Sequence, residues 1–371
     1  MKIKRIFHPI GQGAFYSERH ENLNIVYDCG SKTAKKVSDS IVQNAFTKDT
    51  TIDILFISHF DSDHVNKISI LKQHTKIKKV IMPLLHDEQK NFLLNIFRIL
   101  NINLLTLIQE PKKFFGEDTD IIFVKPAEDN MPINDTNSRN IIDLKNKEEI
   151  ESGTILTLNS SPSKKANWIF ISYNFKYKDR NKDLEQKLLA NGFDVNRLKT
   201  DSNYTLHEIQ NDVSNKKLFK KIYNSLKKDG NDTCINENSM IVYSGVDKKH
   251  ECQINYTYDK YTFNNSKNNN KNRVSCIYTG DTDLTKVPIK ARFSIYWDYV
   301  NTIQIPHHGA EHNFEKSVLD DKYYICPISA RTNNKHHPSS KVITSIISKN
   351  SYPILITENQ QTEFIEEITI L

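Results

Sequence analysis

A chain of 371 residues can bury one large domain or two ordinary ones. With 37% hydrophobic residues, 18 Phe and 16 Tyr, it has the apolar groups for a packed interior and not the composition of a disordered segment. The 51 basic groups against 45 acidic ones, a formal +6, allow contact with a polyanion but do not make the chain a strongly basic nucleic-acid binder on charge alone.

Five cysteines (Cys29, Cys234, Cys252, Cys276, Cys326) are odd in number and form no CxxC pair, which suits reduced thiols better than a disulfide framework. No segment approaches the roughly 18 apolar residues of a membrane span, and the start, Met1 to Ile6, is not a signal peptide. The expectation is a soluble cytoplasmic protein with no membrane partner.

In chain order, β-type runs over Lys2 to Phe7, Ala14 to Glu18 and Asn24 to Tyr27 are separated by Gly11-Gln12-Gly13 and a polar turn at His20-Glu21-Asn22, the pattern of a β-meander. A helix is predicted from Ala34 to Phe46, a strand from Ile52 to Ile57, a helix from Val65 to about His74, a strand over Lys79 to Met82 and a helix from Glu88 to Leu100. Strand and helix alternate, as in an α/β layer structure.

From about residue 127 to 235 the pattern loosens into Asn, Lys, Ser and Asp, broken by the apolar run Trp168 to Tyr173 and by helical stretches near Leu184 to Ala190 and Leu218 to Leu226. We read 127–235 as an inserted, partly helical segment. Residues 178–228 carry twelve Lys or Arg against seven Asp or Glu, which fits either a solvated helix face or a nucleic-acid contact. A low-complexity tract from Asn264 to Asn272 lies between two β-type runs, at an expected hairpin tip. The αβ rhythm then returns with strands at Val274 to Tyr278, Thr302 to Ile305 and Tyr323 to Cys326, a helix from Ser340 to Ser348, and closing strands at Pro353 to Thr357 and Glu363 to Ile370.

The densest chemistry is Ser58-His59-Phe60-Asp61-Ser62-Asp63-His64, directly behind an apolar strand. Two imidazoles and two carboxylates on one short loop make a set of metal donors. His59 and Asp61, at i and i+2, can face one ion, and Asp63 and His64 a second. Further on, Thr279-Gly280-Asp281 ends a strand with a carboxylate of the kind that bridges two cations roughly 3.5–4 Å apart. Pro306-His307-His308-Gly309 ends another strand with paired imidazoles, at least one of which is expected to ligate. Asp28, at the end of an early strand, is a candidate acceptor for orienting a ligating histidine. His337 is a candidate general acid or phosphate contact.

These residues resemble those of metallo-β-lactamase-fold hydrolases and, among them, the hydrolase domain of ComEC-type DNA-uptake proteins and their stand-alone relatives. Gly11-Gln12-Gly13 with Tyr27-Asp28-Cys29-Gly30 is similar to that family's opening turn and Asp-x-Gly strand end. His59, Asp61, Asp63 and His64 are similar to its His-x-Asp-x-Asp-His. Asn238-Ser239, Thr279-Gly280-Asp281, Pro306 to Gly309, and Asn334 with His337-Pro338 follow in the family's order.

The resemblance implies an α/β chain with the αββα sandwich of two mixed sheets flanked by helices. Residues 1–126 would form its first half, 127–235 the insertion and 236–371 its second half. It also implies two divalent metal ions, Mn²⁺ or Zn²⁺, bridged by Asp281, with Asp63 and His337 as the catalytic residues. Asp61 stands where most metallo-β-lactamases have histidine, and more oxygen donors favour the harder Mn²⁺. Most metallo-β-lactamases supply another histidine between the first cluster and the bridging carboxylate, and no histidine here lies in a matching motif; the resemblance to ComEC-type domains implies Asn238 or Ser239 at that corner, with a bare structural turn as the alternative. His336 also stands where the late motif usually has glycine.

The implied activity is phosphodiester hydrolysis, with DNA as the substrate and a protein partner possible. The small-substrate alternatives are a cyclic nucleotide and a phosphorylcholine-type ester. A non-catalytic binding module in a multi-protein system is the alternative outside enzymes.

Overall fold

The computed structural model describes residues 1–127, 137–158, 167–177, 181–209, 211–228, 235–236, 238–264, 272–320 and 322–371. The first half of the chain forms β1 (Lys2–Phe7), β2 (Gly13–Arg19), β3 (Asn24–Ser31), β4 (Thr51–Phe56), β5 (Lys76–Pro83), β6 (Asp120–Val124), β7 (Ser138–Asn140), β8 (Glu148–Ile150), β9 (Ile155–Thr157) and β10 (Trp168–Lys176). The second half adds β11 (Asn238–Val246), β12 (Cys252–Tyr258), β13 (Tyr261–Asn264), β14 (Ser275–Tyr278), β15 (Val300–Ile303), β16 (Ile325–Ser329), β17 (Tyr352–Ile356) and β18 (Phe364–Ile370).

Among the described residues these strands make two sheets. One has ten strands in the order β13-β12-β18-β1-β2-β3-β4-β5-β6-β8, the other eight in the order β17-β16-β15-β14-β11-β10-β9-β7. Both are mixed. Short turns join the antiparallel β1, β2 and β3, whereas β3 to β6 run parallel. In the second sheet β10, β11 and β14 are antiparallel and β14 to β17 parallel. Parallel neighbours need crossovers long enough to hold a helix, which is why the αβ rhythm of the sequence falls on those strands.

The side-chain period of two explains the layers. On β4, Ile54 and Phe56 face the opposite sheet, and Leu55 with the following Ile57 faces the helices. Between the sheets, Phe7, Tyr16, Tyr27 and Phe56 meet Trp168, Phe170, Val242 and Tyr278. The rings of Tyr27 and Tyr278 stack at 3.7 Å. Outside, helices Lys35–Ala45, Ile68–His74 and Asp87–Leu100 lay Val42, Leu71, Phe92 and Leu93 on the first sheet. Phe293, Trp297 and Ile346 cover the second. The layering is the expected αββα sandwich.

One polar network crosses the inter-sheet core. The buried Arg5 guanidinium donates to Glu18 Oε1 at 2.8 Å and to the Val274 carbonyl at 3.1 Å, and it also reaches Glu366. Glu18 also accepts from the hydroxyls of Ser244 at 2.7 Å and Tyr278 at 3.0 Å.

The segment 127–235, expected as an insertion, contributes β8 to the first sheet and β7, β9 and β10 to the second. Its described part outside both sheets includes the helices Lys182–Ala190, Val195–Thr200 and Val213–Lys228. It is tied to helix Asp87–Leu100 through Asn95, whose Nδ2 donates to the carbonyls of Leu198 at 2.9 Å and Asp201 at 2.7 Å, while its Oδ1 accepts from Thr205 N at 3.0 Å. Three-residue strands in polar surroundings carry too little alternation to be legible alone.

The hairpin of β12 and β13 turns at Asp259 and Lys260, both with positive φ as such turns demand. Residues 265–271 of the low-complexity tract, like Cys234, lie outside the described residues. The other four cysteines are buried free thiols. No helix among the described residues is long and apolar enough to cross a membrane.

Candidate metal centre

Asp28 lies near the end of β3, the cluster follows β4, Asp281 follows β14 and the paired histidines follow β15. Ligand sites of α/β sheets form at the carboxyl ends of parallel strands, where backbone groups leave the ladder and side chains are free to converge. After β4 the chain enters the short helix Ser62–Val65, whose backbone lies directly on Gly30. A Cβ on Gly30 would stand 2.4 Å from the carbonyl carbon of Asp63 and 2.5 Å from the nitrogen of His64, so no side chain fits there. Gly280, at φ +55°, makes a similar approach to Ser58, with a would-be Cβ at 2.8 Å from Ser58 Oγ.

Three imidazoles are held by their Nδ1 atoms. Asp28 Oδ2 accepts from His64 Nδ1 at 2.8 Å and from Ser58 Oγ at 2.6 Å, while Asp28 Oδ1 accepts from Ser58 N at 2.7 Å. With its hydrogen spent on Asp28, Ser58 Oγ accepts from His59 Nδ1 at 2.9 Å. His308 Nδ1 donates to the Ser329 carbonyl at 2.9 Å. Each of these bonds orients its ring with Nε2 toward the centre. There, His64 Nε2 lies 3.2 Å from Asp281 Oδ1, His59 Nε2 3.7 Å from Asp281 Oδ2 and from Asp61 Oδ2, and His308 Nε2 3.1 Å from Asp63 Oδ2.

Two groups of donor atoms, His59 with His64 and Asp281, and Asp63 with His64 and His308, each lie within 4.8 Å of one another. His64 lies in both groups; the sequence expectation pairs it with Asp63, and its single free lone pair, on Nε2, can serve one ion only. Its ring, pinned from behind by Asp28, points between the two groups.

Burial alone would push the carboxylates up and the imidazoles down, yet the charges overcome it. Asp63 is held well below its ordinary range by Lys32 and the imidazoles of His308 and His64, and Asp281 by His64 and His307. Asp61 is lowered by His59. His64 is raised well above its ordinary value by Asp281 and Asp28, and His59 is raised by Asp281 and Asp61 against burial and the neighbouring His64.

His59 Nε2, His64 Nε2 and Asp63 Oδ1 are buried and have no hydrogen-bond partner of acceptable geometry. Buried polar atoms are rarely left so, and a mixed nitrogen and oxygen donor set aimed inward fits a divalent transition ion.

The paired histidines divide. Both have positive φ, +48° at His307 and +57° at His308, and this turn sends their rings apart. His308 enters the centre. His307 gives its backbone N–H to Asp281 Oδ1 at 3.1 Å, while its ring faces His312 and His337 with centroids 5.7 and 6.1 Å away. Burial, with His307 next, lowers His337 to about 4, so this imidazole is neutral at pH 7.

Asn238 and Ser239 sit on β11 behind the centre. Asn238 Nδ2 donates to Asn174 Oδ1 at 2.9 Å, and Ser239 Oγ accepts from Thr282 Oγ1 at 3.1 Å. The amide that reaches Asp61 belongs instead to Asn236, whose Nδ2 is 2.5 Å from Asp61 Oδ1 and whose Oδ1 accepts from Phe60 N at 3.3 Å. Sequence reading missed Asn236, Ser58 and Lys32. Asn236 stands two residues before the noted Asn-Ser pair, and that proximity was its only signal.

Residues 14–147 match the family model described as the metallo-beta-lactamase superfamily. The chain has the metallo-β-lactamase fold. The matched stretch holds Asp28 and the whole cluster from His59 to His64, and the second half supplies Asp281 and His308. Among solved structures, the chain is similar to the short form of human tRNase Z, at 10% identity and a TM-score of 0.37, over 96% of this chain and 92% of that one. It is also similar to the metallo-beta-lactamase fold protein YhfI from Bacillus subtilis, at 8% identity and a TM-score of 0.42, over 99% and 100%. No curated protein matches it.

Asp28→Asn is expected to weaken binding of a divalent ion, Mn²⁺ or Zn²⁺, by roughly 10–100-fold, the usual cost of losing a carboxylate that orients a ligating histidine. Asn keeps the size and tolerates the φ of +53° at this position, so the fold is retained. Calorimetric titration of the two proteins checks this, and equal affinities would remove Asp28 from the site.

Proposed function

We propose that this protein is a metal-dependent phosphodiesterase that acts on nucleic acid, DNA in the first instance, and that it is a relative of the ComEC-type hydrolase domains, a reading its motif order supports. The supporting observation is the convergence of three imidazoles, each tethered through Nδ1 with Nε2 inward, on the carboxylates of Asp63 and Asp281.

In this reading His59 and Asp61, with Asp281, would hold one divalent ion, and Asp63, His64 and His308 the other. Such ions supply Lewis acidity, which acidifies a water and draws charge from phosphodiester oxygens. The chain does the rest. Asp281 presents one oxygen toward His64 and the other toward His59, the arrangement of a shared carboxylate. Asp28 and Ser58 keep the rings from turning away. His337, neutral and with a buried Nδ1 that has no hydrogen-bond partner, is suited to donate a hydrogen bond to a phosphate oxygen.

The test is Mn²⁺-dependent hydrolysis of bis-p-nitrophenyl phosphate, single-stranded DNA, duplex DNA and RNA by the native chain and by Asp63→Ala. Activity on DNA that the variant lacks supports the proposal. Cleavage of the small ester alone keeps the hydrolase and removes the nuclease. Metal-independent activity, or equal activity in Asp63→Ala, rejects both.

A further inference from the structure

Lys32 stands at the rim of the centre, paired with one of its buried carboxylates. Its ammonium lies 2.6 Å from Asp63 Oδ2, on a carboxylate whose side chain is 2% exposed, while the lysine side chain itself is 58% exposed. The lysine therefore reaches inward from solvent to a donor of the proposed metal site, the same oxygen that His308 Nε2 approaches at 3.1 Å.

Its backbone is fixed at both ends of the residue. Lys32 N donates to the Gln12 carbonyl at 2.7 Å, and the Lys32 carbonyl accepts from Arg331 Nη2 at 2.6 Å. Gln12 Oε1 in turn accepts from Asn334 Nδ2 at 2.9 Å, which ties this rim to the loop that carries His337. Only the flexible stem of Lys32 is free to move. Its positive charge is felt by Asp61 and Asp281 as well as Asp63.

We propose that Lys32 is a specificity-determining residue that holds the Asp63 carboxylate while no ion is bound there and takes an anionic oxygen of the substrate once one is. The proposal rests on the metal-hydrolase reading above. A dication on Asp63 would compete with the ammonium for Oδ2 and repel it, since like charges a few ångströms apart in a partly buried site cost more than they do in water. Expelled from Asp63, the ammonium is confined by its fixed backbone to the mouth of the centre. The complementary ligand there is an anion next to the ions, such as the non-bridging oxygen of a phosphodiester. Lys32 would thus select charged phosphodiesters over neutral esters or amides.

The consequence has two opposite signs, which a merely structural lysine would not give. Removing a charge-assisted competitor should tighten Mn²⁺ binding to Lys32→Ala by roughly tenfold relative to the native chain, read by calorimetric titration of metal-free protein. The same variant, saturated with Mn²⁺, should show a KM for bis-p-nitrophenyl phosphate raised by roughly tenfold, and Lys32→Arg should restore KM toward the native value. Unchanged or weaker Mn²⁺ binding in Lys32→Ala, or an unchanged KM, overturns the assignment and leaves the hydrolase reading standing. If the native chain binds neither Mn²⁺ nor Zn²⁺, the hydrolase reading falls and the role of Lys32 falls with it.

Discussion

Asp281→Asn is expected to reduce Mn²⁺-dependent phosphodiester hydrolysis by at least the roughly 10²–10³-fold that loss of a single electrostatic stabiliser costs an active site. The carboxylate is buried, and its two oxygens face different imidazoles, Oδ1 that of His64 at 3.2 Å and Oδ2 that of His59 at 3.7 Å. An amide keeps the shape and can still accept from the backbone N–H of His307, which binds Oδ1 at 3.1 Å. It could not offer an anionic oxygen to each of two cations, as the proposed two-ion site would require. The variant should also bind less Mn²⁺ per chain, measured by metal analysis after dialysis. Activity within tenfold of native, with full metal content, would mean that Asp281 is not shared between ions and would remove the two-ion reading.

The largest effect on stability is expected far from that centre. Arg5→Met should lower the free energy of unfolding by about 3–5 kcal/mol, the cost of leaving a buried charge without its partner. Both side chains of the Arg5–Glu18 pair are fully buried. Burial opposes the charge on Glu18, but Arg5 and His20 hold its pKa down to about 2 from an ordinary 4.5. Burial lifts Glu366 despite Arg5, so Glu18 is the carboxylate that depends on the guanidinium.

A carboxylate whose folded pKa is depressed contributes stability above its unfolded value. The native protein should therefore lose this contribution as pH falls from about 4.5 toward 2. Urea unfolding checks both statements. In Arg5→Met/Glu18→Gln the loss should be smaller than in Arg5→Met alone, because the orphaned charge has gone. A loss under roughly 1 kcal/mol in the single variant would show that the buried guanidinium contributes nothing net to stability.

Much of the centre was legible because metal donors are local and dense. His59, Asp61, Asp63 and His64 lie within six residues of sequence, and the structure keeps them together. Asp281 and the His307-His308 turn were legible as strand ends, since a polar residue after an apolar run marks where a side chain leaves the sheet. Which of the two histidines turns inward was not legible, because the answer lies in two positive φ angles that a sequence does not print. Lys32 and Asn236 were missed for a related reason. A lone lysine and a lone asparagine have many ordinary surface roles, and only the path of the backbone shows them touching Asp63 and Asp61.

The fold divides in the same way. The period-two and αβ patterns marked the early strands, the helices over 35–45 and 87–100, and the parallel halves of both sheets, because burying each apolar face requires a layer on each side. The short strands β7 to β9 were read into an insertion, since three residues among polar neighbours have no period to detect.

By itself the sequence determined the donor types, their order and the layered architecture, all of which follow from local composition and periodicity. The tertiary structure alone decided that His64 stands between two donor groups, that Asp28 and Ser58 lock the imidazoles, and that Lys32 shares Asp63. Those are relations between segments tens to hundreds of residues apart, set by how two sheets pack against each other.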